Sequence, residues 1–137
     1  MADYVLDDQI GFRLRVAMQR HTFIFTSRMI QDLTQTQFAA LAKLREVGVC
    51  SQNHLGRLIY LDPSTIKGVV DRLNRRGLVE ICDNPKDRRR RAVALTEKGK
   101  RAAAAAAKVA AEITAKTMMP LTPKEQRQIV KLLRRLS

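Results

Sequence analysis

Cysteine is nearly missing from this sequence: Cys50 and Cys82 are the only two, and they form no C-x-x-C pair. That spacing excludes a zinc cage and a disulfide framework, and a reducing cytoplasm is the expected compartment. No apolar run is long enough to span a bilayer, and the acidic N-terminus does not read as a signal peptide. There is no Gly-rich phosphate loop, nucleophile elbow or metal-ligand spacing, so nothing points to an enzyme, a metal or a cofactor. Aromatics are scarce, at 4% with no tryptophan, yet 45% of the 137 residues are apolar, enough for a core and against global disorder. Acidic side chains are the last shortage. Thirteen Asp and Glu face 26 Lys and Arg, a net charge of +13, which calls for a polyanionic partner: nucleic acid before an anionic membrane surface.

What is present is unevenly placed. Residues 51–101 hold thirteen of the basic side chains against six acidic ones. Their densest stretch is "DNPKDRRRRAVALTEKG", Asp83 to Gly99, where Arg88, Arg89, Arg90 and Arg91 follow one another. Like charges at that density repel unless something anionic meets them.

Helical spacing organises most of the chain. Residues 7–31 read as one helix with two apolar stripes, Ile10, Leu14, Met18, His21 and Phe25 on one and Phe12, Val16, Phe23 and Ile30 on the other. One stripe can face its own domain and the other a partner subunit. A second helix starts at "LTQTQFAAL", with Thr34 and Gln37 as a capping box and Leu33 and Phe38 as a staple. Phe38, Leu41, Ala42 and Arg45 follow one face, and Gly48 stops the helix. Ser51 announces a short third helix. After a turn at Tyr60-Leu61, "LDPSTIKGVVDRLNRRG" opens a fourth, with Asp62 as cap, Pro63 at the first position, Ile66, Val69, Val70 and Leu73 inward, and Gly77 at the end. Two capped helices across a short turn predict a helix-turn-helix.

"LVEIC" and "AVAL" have strand character, and the nine residues between them predict a long hairpin with a basic tip. A helix-turn-helix followed by such a hairpin is a winged helix. Thr96 can cap a long helix over 97–117, roughly 32 Å at about 1.5 Å per residue. Pro120 breaks it, and Thr122, Pro123 and Glu125 restart a last helix striped by Ile129, Leu132, Leu133 and Leu136. The expected fold is mainly α with a small β-hairpin wing, in a single domain spanning 1–137. Residues 34–95 form its winged helix-turn-helix DNA-binding region; 7–31 and 97–137 form a helical dimerisation region.

"LTQTQFAALAKL", "STIKGVVDRLNRRGLVE" and "NPKDRRRRAVALTEKG" resemble the MarR family of winged-helix transcription regulators over nearly the whole chain. The family's wing pattern is close to D-P-x-D-R-R, a strand, then L-T-x-x-G. Here Asn84 replaces the first Asp, and Ile81 and Cys82 stand where the family often has arginine. The resemblance implies an obligate homodimer built from the first and last two helices. It also implies regulators that often repress, and often leave DNA when a small ligand binds.

Duplex DNA is therefore the expected partner, read at an inverted repeat. In the major groove, Ser64, Thr65 and Lys67 at the start of the fourth helix would meet base edges or phosphates, and its N-terminal amides a phosphate. Arg72 and Arg75 would touch the backbone, although charge matching to the helix dipole also accounts for Arg75. Ser51 and Gln52 would reach phosphate, or simply cap. In the wing, Arg89 is the candidate for minor-groove insertion. The resemblance implies that Asp87 orients it, and Arg88, Arg90 and Arg91 would meet phosphates or solvent. A non-specific nucleoid or RNA-associated protein would explain the charge equally well, and sequence preference would separate the two.

The resembled family also implies an effector pocket between the first, second and fifth helices. There the sequence offers Arg13, Arg20, His21, Phe25, Phe38 and Leu41. An apolar crevice would hold the ring of a small aromatic acid or its acyl-CoA thioester, with Arg13 or Arg20 on the anion. His21 also fits a hydrogen-bonded core position. Redox sensing would need an accessible low-pKa thiol; Cys50 and Cys82 read as structural.

Overall fold

A computed structural model describes residues 3–84 and 87–137, with the backbone alone over 84 and 87–90. Its elements are α1 (Ile10–Arg28), α2 (Gln35–Val47), β1 (Cys50–Ser51), α3 (Gln52–Leu58), α4 (Pro63–Arg75), β2 (Val79–Asn84), β3 (Asp87–Leu95), α5 (Glu97–Met118) and α6 (Pro123–Arg134). A single 3-10 turn, Leu6–Asp8, precedes α1. The chain divides into two compact units: Met29–Lys108, and Met1–Arg28 together with Val109–Ser137.

The Met29–Lys108 unit is a helix-turn-helix closed by an antiparallel sheet of order β1-β3-β2. Its first helix starts as expected. The Thr34 hydroxyl accepts the Gln37 N–H at 3.1 Å, while the Gln37 side chain accepts the Thr34 N–H at 3.1 Å. That reciprocal bond turns Gln37 inward, so the buried face of α2 is Gln37, Ala40, Leu41 and Leu44. The expected stripe was rotated from this: Phe38 and Ala42 are half-buried and Arg45 is exposed. Gly48 ends the helix at φ +79°, a conformation that glycine adopts without strain. β1 was not anticipated. It has two residues, too few to carry a period, and pairs Cys50 with Val93 and Ser51 with Ala92.

α4 follows its sequence closely. Ile66, Val69, Val70 and Leu73 are all at most 2% exposed. At roughly 1.5–3 kcal/mol for each side chain taken from water, their burial fixes the rotation of the helix and hence which residues face out. The wing departs from expectation. Its strands run to Asn84 and from Asp87, so Arg88–Arg91 lie along β3 and not on a loop. Pairing is regular from Val79↔Leu95 to Asp83↔Arg91, then shifts to Asn84↔Asp87. The ladder bonds backbone groups and tolerates arginine at any position, which is why side-chain type hid the strand. One close packing contact is unforgiving. A Cβ on Gly99 would lie 1.8 Å from the Leu78 carbonyl oxygen, so α5 enters against backbone.

In the other unit, α1 is shorter than the 7–31 expected. Gln9 is extended, and Gln31 and Asp32 take positive φ values of 56° and 53°, which no continuing helix allows. Ile24, Phe25 and Ile113 are buried. Ile10, Leu14 and Met18 are 41–64% exposed, as are the α6 residues Leu132 and Leu133 at 51% and 41%. α6 itself is held by a second capping box between Thr122 and Glu125.

Candidate nucleic-acid interface

The outward face of α4 begins at its cap. Asp62 accepts the Thr65 N–H at 2.8 Å, the Ser64 hydroxyl at 2.9 Å and the Thr65 hydroxyl at 2.9 Å. The Thr65 backbone bond, then the two hydroxyls, hold the Asp62 carboxyl below its usual range. Two expectations change as a result. A carboxylate already occupies the helix N-terminus where a phosphate was expected. The Ser64 and Thr65 hydroxyl protons are committed to Asp62, so each oxygen is left as an acceptor. It suits an amino group on a base edge better than a phosphate, which only accepts.

One turn further on, Asp71 gathers two of the predicted DNA-binding cations. The Lys67 ammonium donates to one carboxylate oxygen at 2.9 Å, and the Arg91 guanidinium donates to the other at 3.0 Å. The Lys67 bond, followed by the Arg91 bond, depresses the Asp71 carboxyl. Arg91 thereby joins β3 to α4, while Lys67 pairs with Asp71 within the helix. Asp71 was missed because an acid one turn from a lysine reads as an ordinary helix-surface pair, and nothing in sequence places Arg91 beside it. Arg72 and Arg75 are exposed on the same helix. Arg76 donates to the Gln31 carbonyl.

Ser51 and Gln52 separate. Ser51 caps α3 by accepting the His54 N–H at 3.1 Å. Gln52 is 8% exposed, and its Oε1 is buried with no hydrogen-bond partner among the described residues. The side chains of Asp87, Arg88, Arg89 and Arg90, and with them the expected Asp87–Arg89 pairing, lie outside the described residues.

The effector candidates fall in both units. In the unit of α1 and α6, Arg20 donates to the Thr117 and Lys116 carbonyls at 2.7 and 3.0 Å, serving the C-terminal end of α5. His21 Nδ1 lies 2.8 Å from the Thr117 hydroxyl, and its ring is 6.4 Å from that of Phe25. Arg13 stacks near Phe12 and borders an apolar groove of about 420 Å³ between α1 and α6. In the Met29–Lys108 unit, Phe38 packs on the core and Leu41 is fully buried within it. Burial pushes the Cys50 thiol up, away from a reactive thiolate, and Cys82 is exposed on the strand at the far side of β3. Among the described residues no group of three or more His, Cys, Asp or Glu could hold a metal, and no helix is long and apolar enough to cross a membrane.

A capped helix with an exposed cationic face, braced to the second strand of a hairpin, defines a winged-helix DNA-binding protein. Residues 33–90 match the family model described as MarR family. The HTH-type transcriptional repressor NicR of Pseudomonas putida is 39% identical over 97% of this chain and 85% of its own. A probable transcriptional regulator from Pseudomonas aeruginosa, solved by crystallography, is 46% identical with a TM-score of 0.94, covering 97% of this chain and all of that one. The structure of Bordetella bronchiseptica BpsR, described for the regulation of its DNA binding by 6-hydroxynicotinic acid, is 36% identical with a TM-score of 0.93, over 98% of this chain and 97% of that one. The chain belongs to the MarR family of DNA-binding transcriptional regulators.

Proposed function

We propose that this protein is a homodimeric repressor that binds an inverted-repeat operator and is released by a small aromatic acid. The observation that carries the reading is the single surface made by α4 and β3, pinned together at Asp71. Helix and wing strand are held in one arrangement, so a duplex can engage both. Two such surfaces, one per protomer, would lie about one helical turn of DNA apart, roughly 34–36 Å.

The dimer is supported by α1 and α6, whose outward Ile10, Leu14, Leu132, Leu133 and Leu136 leave a groove lined mainly by apolar side chains. Apolar surface of that kind favours burial against a partner. The effector class is supported by the similarity to BpsR and by Arg13, whose guanidinium has no backbone carbonyl partner among the described residues, unlike that of Arg20. A carboxylate would pair with Arg13.

Electrophoretic mobility shift tests this directly. Genomic fragments selected by the protein are expected to share an inverted repeat, bound orders of magnitude more tightly than bulk duplex at moderate salt. 6-hydroxynicotinate or a related aromatic acid should release them. Equal binding to every duplex would favour a non-specific nucleic-acid-binding protein instead.

A further inference from the structure

Resting on the operator reading above, we propose that Arg72 is the guanine-reading residue of α4, its guanidinium lying back along the helix beside Gly68. Three of the cations around this face are already engaged: Lys67 and Arg91 by Asp71, and Arg76 by the Gln31 carbonyl. Among the described residues no carboxylate pairs with Arg72 or Arg75. Arg75 is in the last turn, away from the end of a recognition helix that contacts bases. Arg72 leans the other way. Long helical side chains point back over the preceding turn, and here the guanidinium nitrogens lie 3.5 and 3.7 Å from where a Cβ on Gly68 would sit.

Gly68 otherwise has no local reason to be glycine. Its φ is not positive, and in a helix interior glycine costs about 1 kcal/mol relative to alanine. The Arg72 fork lies alongside this position at van der Waals distance, so a methyl there would touch it and only a longer side chain would displace it. The fork therefore points along the helix toward its N-terminal half, where the Ser64 and Thr65 hydroxyls are held by Asp62. A planar guanidinium presents two parallel N–H donors to the O6 and N7 acceptors of guanine, a fixed fork that the flexible ammonium of a lysine does not hold.

The test is selection from a randomised duplex library with the full-length wild type and four variants, followed by salt titrations and thermal melts. Wild type should select guanine at one fixed place in each half-site. Arg72→Ala should lose that preference by roughly 5- to 100-fold while the other positions stay selective. Arg72→Lys should keep affinity for bulk duplex and still lose the guanine. Gly68→Ala, whose methyl only touches the guanidinium, should melt higher and keep the preference; Gly68→Leu should fold as well as wild type and lose it. A uniform loss over all sequences in Arg72→Ala, with the salt slope falling by about 0.9, would mark a phosphate contact and overturn the proposal. So would a guanine preference retained by folded Gly68→Leu. A wild type that binds every duplex alike would overturn the operator reading and this one with it.

Discussion

At the scale of single residues, two acids, Asp62 and Asp71, organise the described part of the candidate interface. Asp62 fixes which atoms of Ser64 and Thr65 remain available, and Asp71 fixes where Lys67 and Arg91 point. A carboxyl depressed in the folded state adds stability above its unfolded value and loses it only as pH falls through the lower folded one. The Asp71 bridge should therefore survive acidification through the ordinary aspartate range. Carboxyl NMR titration should find Asp71 below that range in wild type and shifted back toward it in Arg91→Ala; an unchanged titration would remove Arg91 from the bridge. A second prediction concerns packing. Gly99→Ala forces a methyl against the Leu78 carbonyl and should destabilise by about 1–3 kcal/mol in denaturant unfolding. The two acids were not legible as site residues. Capping was read correctly at Asp62, but which hydroxyls it would bind depends on rotamers, and the Asp71–Arg91 contact joins residues twenty apart through tertiary structure.

The elements tell a different story, because local chemistry decides most of them. Thr34, Asp62 and Thr122 were identified as caps from sequence, and each side chain accepts from the backbone three residues on. Thr34→Ala should cost about 1 kcal/mol in thermal or chemical unfolding, with the capping box gone. The four apolar positions of α4 were readable for the same reason: a strong 3.6-residue period leaves one rotation possible. Elements set by distant partners were not readable. β1 exists only because β3 lies beside it, and β3 reaches back to Asp87 because the backbone of β2 is there to bond. On α1 the two apolar stripes gave the helix but not its ends, which depend on the left-handed turn at Gln31 and Asp32.

For the whole molecule, charge and apolar surface make separate predictions. The net charge of +13 should give operator affinity that falls linearly on a log–log plot against salt, by about 0.9 for each phosphate neutralised. Leu133→Asp, on an exposed α6 position, should turn the proposed dimer to monomer in sedimentation velocity and lower operator affinity without melting the fold; an unchanged mass would remove α6 from the interface. The last turn of α4 has a further property. Its trailing carbonyls are not left to water. Lys98 of α5 donates to the Arg76 carbonyl at 3.0 Å, and Thr96 donates to that of Gly77 at 2.7 Å while accepting the Gly99 N–H at 2.9 Å. The tail of α4 is thus bolted to the head of α5. Under the proposed operator reading, re-aiming α4 would mean dragging or unfastening the first turn of α5, so a molecule that displaced α5 would gain a mechanical grip on α4.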